Sequence, residues 1–211
     1  MQFGKSHKVA SYIMVIAAFV AMTGGGMVSP VASLGGLLGF VVSWFWEPPR
    51  VRVERFALAW TIASFLVLIY SAAIAITTGD YLGAGAQFLV WLAVVKACSR
   101  RAARDYLQLY LLAFLMLVVG SVLNADLSYG VAFLVFVISS TWAIALFHLR
   151  REMEDNLLIK HAADRASQPV EIARILASRR IVNARFFVGT GLLSLGIFVA
   201  SAVVFLAVKW P

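Results

Sequence analysis

The sequence predicts an all-α, polytopic membrane helix bundle of about seven transmembrane helices. Three observations carry that expectation: seven apolar runs of near-spanning length, cations confined to alternate loops between them, and an unusually apolar composition. The chain is 62% hydrophobic and only 13% charged, against roughly 45–50% apolar residues in a soluble domain, and its mean hydropathy is +0.90.

The runs follow in order. Lys5, His7 and Lys8 precede an apolar stretch over 9–22, followed by Thr23 and the triplet Gly24, Gly25 and Gly26. A cleaved signal peptide would share the basic start and the apolar core. A second apolar run over 28–46 follows, however, where a secreted protein would begin its polar mature domain, so a retained first span is the preferred reading. It is short against the ~20 residues a bilayer requires and is expected to extend into the glycine triplet. The second span ends on Trp44, Phe45 and Trp46, residues suited to a headgroup layer, before the helix-breaking Glu47-Pro48-Pro49-Arg50. The third runs over 56–78, the fourth over 81–95 after Gly79 and Asp80, the fifth over 106–123 and the sixth over 127–149 after Asn124, Ala125 and Asp126.

Residues 150–185 are polar and mixed in charge. Their first part continues the sixth helix, and Ser167-Gln168-Pro169 marks a fresh start with Ser167 as cap and Pro169 in the first turn. Ile172, Ile175 and Leu176 then share a face flanked by Arg174, Arg179 and Arg180, so this helix either lies in the headgroup layer or is an ordinary solvated one. The last span covers 186–208. The expected organisation is a six-span bundle over 1–149, a cytoplasmic helical segment over 150–185, and a seventh span with its outer end over 186–211.

The charges test the count. Lysines and arginines number two before the first span, three after the second, four after the fourth and eight after the sixth, leaving Lys209 alone on the other side. Short loops rich in Lys and Arg stay cytoplasmic, which places the amino terminus inside and the carboxyl terminus outside. The net charge of +8 therefore points to anionic lipid headgroups as counter-charge and away from nucleic acid. One cysteine, Cys98, excludes an internal disulfide framework and a Cys-rich metal site.

Chemistry inside the spans finds little support. No ionisable residue interrupts them, and a charge at mid-membrane would mark an ion pathway. Gln87, Thr61, Ser64, Ser139, Ser140, Thr141, Thr190 and Ser194 are the polar candidates, and the expected role for them is helix-to-helix hydrogen bonding. His148 sits beside Arg150 and Arg151, with no serine partner at matching depth. His7 and His161 fall in polar segments without metal-ligand spacing and are expected to be solvated. No catalytic, cofactor or metal site is expected. Gly35-x-x-x-Gly39 and Gly196-x-x-x-Ala200 present small faces for close helix packing. Gly24 to Gly26 and Gly83-Ala84-Gly85 lack phosphate-loop context and are expected to be hinges or tight turns.

The densest polar feature is the corner between the fourth and fifth spans. Lys96, Arg100, Arg101 and Arg104 lie there, with a chain reversal expected between 98 and 103, and Asp105 is placed to favour the positive start of the next helix. Lipid contact or docking of a cytoplasmic partner are the expected roles of Lys96, Arg100, Arg101, Arg104 and Asp105. Asp105 could alternatively lock the bundle by pairing with a cation of a neighbouring loop.

Lys96, then Arg104-Asp105-Tyr106 opening an apolar helix, and Arg179-Arg180-Ile181-Val182-Asn183-Ala184-Arg185 leading into a last span with Phe205 near its end, resemble one known layout. It is the amino-terminal membrane domain of TgpA-like transglutaminase-superfamily proteins of bacteria. The resemblance covers the whole chain and implies a multi-pass protein of the bacterial inner membrane. In that family an extracytoplasmic Cys-His-Asp catalytic domain follows the membrane domain. AAA-type ATPases and proteins with von Willebrand-like domains are the partners it implies. Here Val208-Lys209-Trp210-Pro211 stands where the family continues, so no catalytic residue carries over. The expected role is a non-catalytic membrane anchor and assembly module, either a fragment or a stand-alone relative. The alternative from another class is a small-solute transporter or channel subunit.

Overall fold

The computed structural model describes residues 3–26, 28–46, 57–100, 103–163 and 184–209, and among them every regular element is an α-helix. There are seven: α1 Phe3–Thr23, α2 Pro30–Phe45, α3 Ala57–Thr78, α4 Tyr81–Cys98, α5 Ala103–Leu123, α6 Leu127–Ala163 and α7 Ala184–Lys209. Five apolar stretches are long enough to cross a membrane, namely Phe3–Thr23, Leu58–Thr78, Tyr81–Cys98, Arg104–Leu123 and Leu127–Met153. The difference from seven runs lies in α2 and α7. The first is a 16-residue helix; the second is 26 residues long, and Arg185–Ser201 is its apolar stretch among the described residues.

Local chemistry sets these boundaries. Ser29 starts α2 late, because its hydroxyl accepts from the Ala32 N–H and Pro30 occupies a first-turn position where its missing donor costs nothing. Asp80 does the same for α4, its carboxylate accepting from the Gly83 N–H at 2.9 Å. Gly83-Ala84-Gly85 is therefore helical, not the turn expected from sequence, and the turn is made one step earlier by Gly79 at φ 71°. α1 also differs from expectation. It gains length at its amino-terminal side, starting at Phe3, and stops before the glycine triplet, where Gly26 takes φ 71°. α6 runs through residue 150 to Ala163. The predicted helix start at 167–169 and the face of Ile172, Ile175 and Leu176 lie outside the described residues.

Two compact units divide the chain: Met1–Met14 with Leu134–Pro211, and Val15–Phe133. In the second, α4 packs against α2, α3 and α5. α2 runs parallel to α4 and approaches it through glycines. A Cβ on Gly35 would meet the Trp91 ring, one on Gly36 would meet Val90 and Phe19, and one on Gly39 would meet Val94. Gly36, with Ala32, Phe40 and Ser43, lies on the buried face of α2, and Phe40 meets Phe19 edge-on at 5.6 Å. The carboxyl end of α1 is clamped to that of α5. A Cβ on Gly120 would fall 2.9 Å from the Ala21 carbonyl carbon, and one on Gly25 would collide with the Leu123 carbonyl oxygen. The buried Asn124 completes the clamp by donating to the Ala21 carbonyl at 3.0 Å and to Ser128 Oγ at 3.2 Å, while its Oδ1 accepts from the Asp126 N–H.

In the other unit, α7 meets α6 through Phe187, Gly191 and Ser194. Trp142 Nε1 donates to the Phe187 carbonyl at 3.1 Å, its ring crosses Phe187 edge-on at 5.5 Å, and Gly191 leaves room for the indole. Thr141 and Ser194 share a hydroxyl hydrogen bond of 3.0 Å. Gly196 and Ala200 point elsewhere: both are exposed, and a Cβ on Gly196 would meet nothing within 4 Å. The packing face of α7 therefore follows the 187, 191, 194 spacing and not the expected Gly196–Ala200 pair, which falls on a different side of a 3.6-residue turn.

Removing the Asn124 amide leaves the Ala21 carbonyl and the Asp126 N–H without their partner, at about 1–3 kcal/mol for a buried group. Asn124→Ala is expected to lower the thermal midpoint in detergent, measured as the temperature at which the single, buried Cys98 becomes reactive to a thiol-specific fluorophore.

Candidate functional site

The cationic corner joins α4 to α5, and the structure assigns its residues different work. Arg100 is only 4% exposed. Its Nε donates to the Ala97 carbonyl at 2.7 Å and its Nη2 to the Ser43 carbonyl at 3.4 Å. The guanidinium carbon stands 5.3 Å from the centre of the buried Tyr106 ring. One side chain thus touches the ends of α2 and α4 and the beginning of α5. Each contact suits a cation. The last carbonyls of α2 and α4 carry the negative end of a helix dipole, and an aromatic face attracts a guanidinium by ~0.5–2 kcal/mol. Arg100 was expected to meet lipid or a partner, and its burial removes it from that role.

Lys96 is half-buried, and its Nζ donates to Gln108 Oε1 at 2.8 Å. This ties α4 to α5 through a neutral oxygen that takes one of the three N–H donors of Lys96. Arg104 is exposed in the first turn of α5, and Asp105 beside it is half-buried. Arg101 lies outside the described residues. Cys98 is 7% exposed, a small side chain at the end of α4.

This end of the unit also carries exposed aromatic residues. Trp44 and Trp46 are 36% exposed and Phe45 63%, and Trp46 meets Trp60 of α3 edge-on at 6.5 Å. The opposite end, made by the start of α4, the close of α1 and the α5–α6 turn, has Asp80 and Asp126 as its charges among the described residues.

The other polar candidates mostly bond within their own helices. Ser64 donates to Trp60 O, Ser139 to Val135 O, Ser140 to Val137 O and Thr190 to Phe186 O, at 2.7–3.0 Å. Short hydroxyl side chains reach back to the carbonyl three or four residues earlier, so the expected helix-to-helix bonding is found at Thr141 and Ser194. Gln87 is half-buried in α4. His7 departs from its expected solvation: it is 1% exposed, stacked on Phe3 at 6.3 Å, and its carbonyl accepts from Ser11 Oγ. Residues 3–8 open α1, which turns His7 and Ser11 to one buried face. Among the described residues no three His, Cys, Asp or Glu side chains converge as a metal would need.

Among the described residues, the arrangement can brace helices and present positive charge. Arg100→Met removes charge-assisted hydrogen bonds worth about 1.5–3 kcal/mol. It is expected to lower the Cys98-reported midpoint clearly, whereas Arg104→Gln leaves it within about 0.5 kcal/mol of wild type. Tyr106→Phe, which keeps the ring face, is expected to lower it less than Tyr106→Leu. Compared with protein-family models, with curated proteins and with solved structures, the chain matches none.

Proposed function

We propose that the chain is a multi-pass anchor and assembly module of a bacterial inner membrane. In this reading it belongs to a TgpA-like transglutaminase-family architecture and does no catalysis of its own. The observation that carries the reading is the polarity of the Val15–Phe133 unit. Lys96, Arg100 and Arg104 with an aromatic rim occupy one end, and the other holds Asp80 and Asp126. A helical unit so divided would sit across a bilayer with its cationic end in the cytoplasm. The traced buried polar groups support a bracing role, because Arg100, Asn124 and the Thr141–Ser194 pair each join one helix to another.

The catalytic domain that the resemblance implies would lie outside the cytoplasm. AAA-type ATPases or von Willebrand-like domain proteins would be met from the cytoplasmic side, and the residues offered to them are those the corner leaves exposed. Tagging the native gene product at Met1, purifying it in mild detergent and weighing it with its companions by mass spectrometry tests this. A transglutaminase-like domain in the product or among its companions is the expected result; a complex without one overturns the family assignment. A solute pathway is separated by Gln87→Cys in a Cys98→Ser background. The anchor reading expects no reaction with a membrane-impermeant thiol reagent, and rapid labelling would favour a transporter.

A further inference from the structure

Resting on the membrane-spanning reading above, we propose that Lys96 and Arg104 form a site for the phosphate of an anionic phospholipid at the rim of the α4–α5 hairpin. Three observations converge on it. Arg104 is the first member of an exposed stripe on α5 that continues through Leu107, Leu111, Phe114, Val118 and Val122. The opposite face, with Tyr106, Leu109, Ala113 and Met116, is buried. The guanidinium therefore tops the apolar face of its helix and is not carried on a loop projecting into water.

Lys96 supplies the second cation at a defined place. Its hydrogen bond to Gln108 brings the ammonium to α5 one turn after Arg104, the two α5 positions standing about 6 Å apart along the helix axis. Gln108 is neutral and takes one of three N–H donors. The remaining donors and the Arg104 fork can both reach the oxygens of one phosphate, as cations placed at the base of a headgroup do. Asp105, half-buried beside Arg104, is the nearby negative charge and would disfavour a second phosphate.

Depth is the third observation. Trp44, Phe45 and Trp46 are exposed at this same end, since Arg100 ties the carbonyl of Ser43 to the end of α4. Exposed indole rings mark the headgroup level of a bilayer. A soluble acidic partner would need its cations clear of the apolar stripe; a phospholipid places its phosphate just above its acyl chains and matches a cation standing over Leu107 and Leu111.

The test uses the full chain in mild detergent, titrated with phosphatidylglycerol or phosphatidylcholine of identical acyl chains, with retained lipid counted by native mass spectrometry. Wild type is expected to prefer phosphatidylglycerol. Arg104→Gln should reduce that preference about fivefold, from roughly 1 kcal/mol per cation near a charged surface, and Lys96→Gln with Arg104→Gln should abolish it. Arg151→Gln, on exposed α6 surface, should leave it intact. Because Arg104 is exposed, its single variant should keep Cys98 protected, which separates lost binding from lost fold. Equal retention of both lipids, or an unchanged preference in the double variant, overturns the site. Displacement of bound lipid by millimolar glycerol phosphate would make it a free-phosphate site and overturn the lipid assignment. So would a double variant that keeps its lipid and loses a co-purifying soluble protein. Release of the chain from membranes by an alkaline carbonate wash would overturn the membrane reading itself, whereas a membrane-retained chain without lipid preference overturns only the site.

Discussion

A guanidinium cannot be left buried and unanswered: the desolvation of one ion costs several kcal/mol. Arg100 meets part of that constraint with the carbonyls of Ala97 and Ser43 and the face of Tyr106. The geometry of the corner follows from it. α4 must end within reach of Arg100, α2 must end beside α4, and α5 must begin with an aromatic residue turned inward. The glycines of α2 make the parallel approach possible, since side chains at 35, 36 and 39 would hold the helix off Trp91, Val90 and Val94.

At the far end the same unit is held without charge. Asn124 bridges the last turn of α1 to the α5–α6 turn, and Gly25 and Gly120 allow the backbones to meet. A cation-braced end and an amide-braced end give the helices two fixed points, with apolar faces between them. For a chain lying across a bilayer this division is economical in physical terms. In such a placement Lys96 and Arg104 would remain where phosphate and water can solvate them, and the opposite end would carry, among the described residues, Asp80 and Asp126, which contribute little to orientation.

Much of this was legible in the residues. Helix positions followed from apolar run length and from punctuation at Gly79-Asp80, Asn124-Asp126 and the cationic turn. The Lys96–Gln108 bond was within reach too, because the two residues stand equally far from a reversal near residue 102. The role of Arg100 was not legible. Its acceptor on α2 is 57 residues away, and the sequence alone does not tell the buried Arg100 at the end of α4 from the exposed Arg104 in the first turn of α5. Pattern reading failed also where small or polar residues have two meanings. Gly83 reads as a turn and serves a helix start capped by Asp80; Gly196 and Ala200 read as a packing face and stand exposed; His7 reads as solvated and is buried in α1.

In the membrane module proposed above, the two ends of the Val15–Phe133 unit lie on opposite sides of a bilayer, with the cationic corner inside. Single cysteines introduced as Arg104→Cys and Asp126→Cys in a Cys98→Ser background, expressed in bacteria and exposed to a membrane-impermeant maleimide, test it directly. The position-126 thiol is expected to react in spheroplasts and the position-104 thiol only in inverted vesicles. Reaction of both from the same side would contradict it.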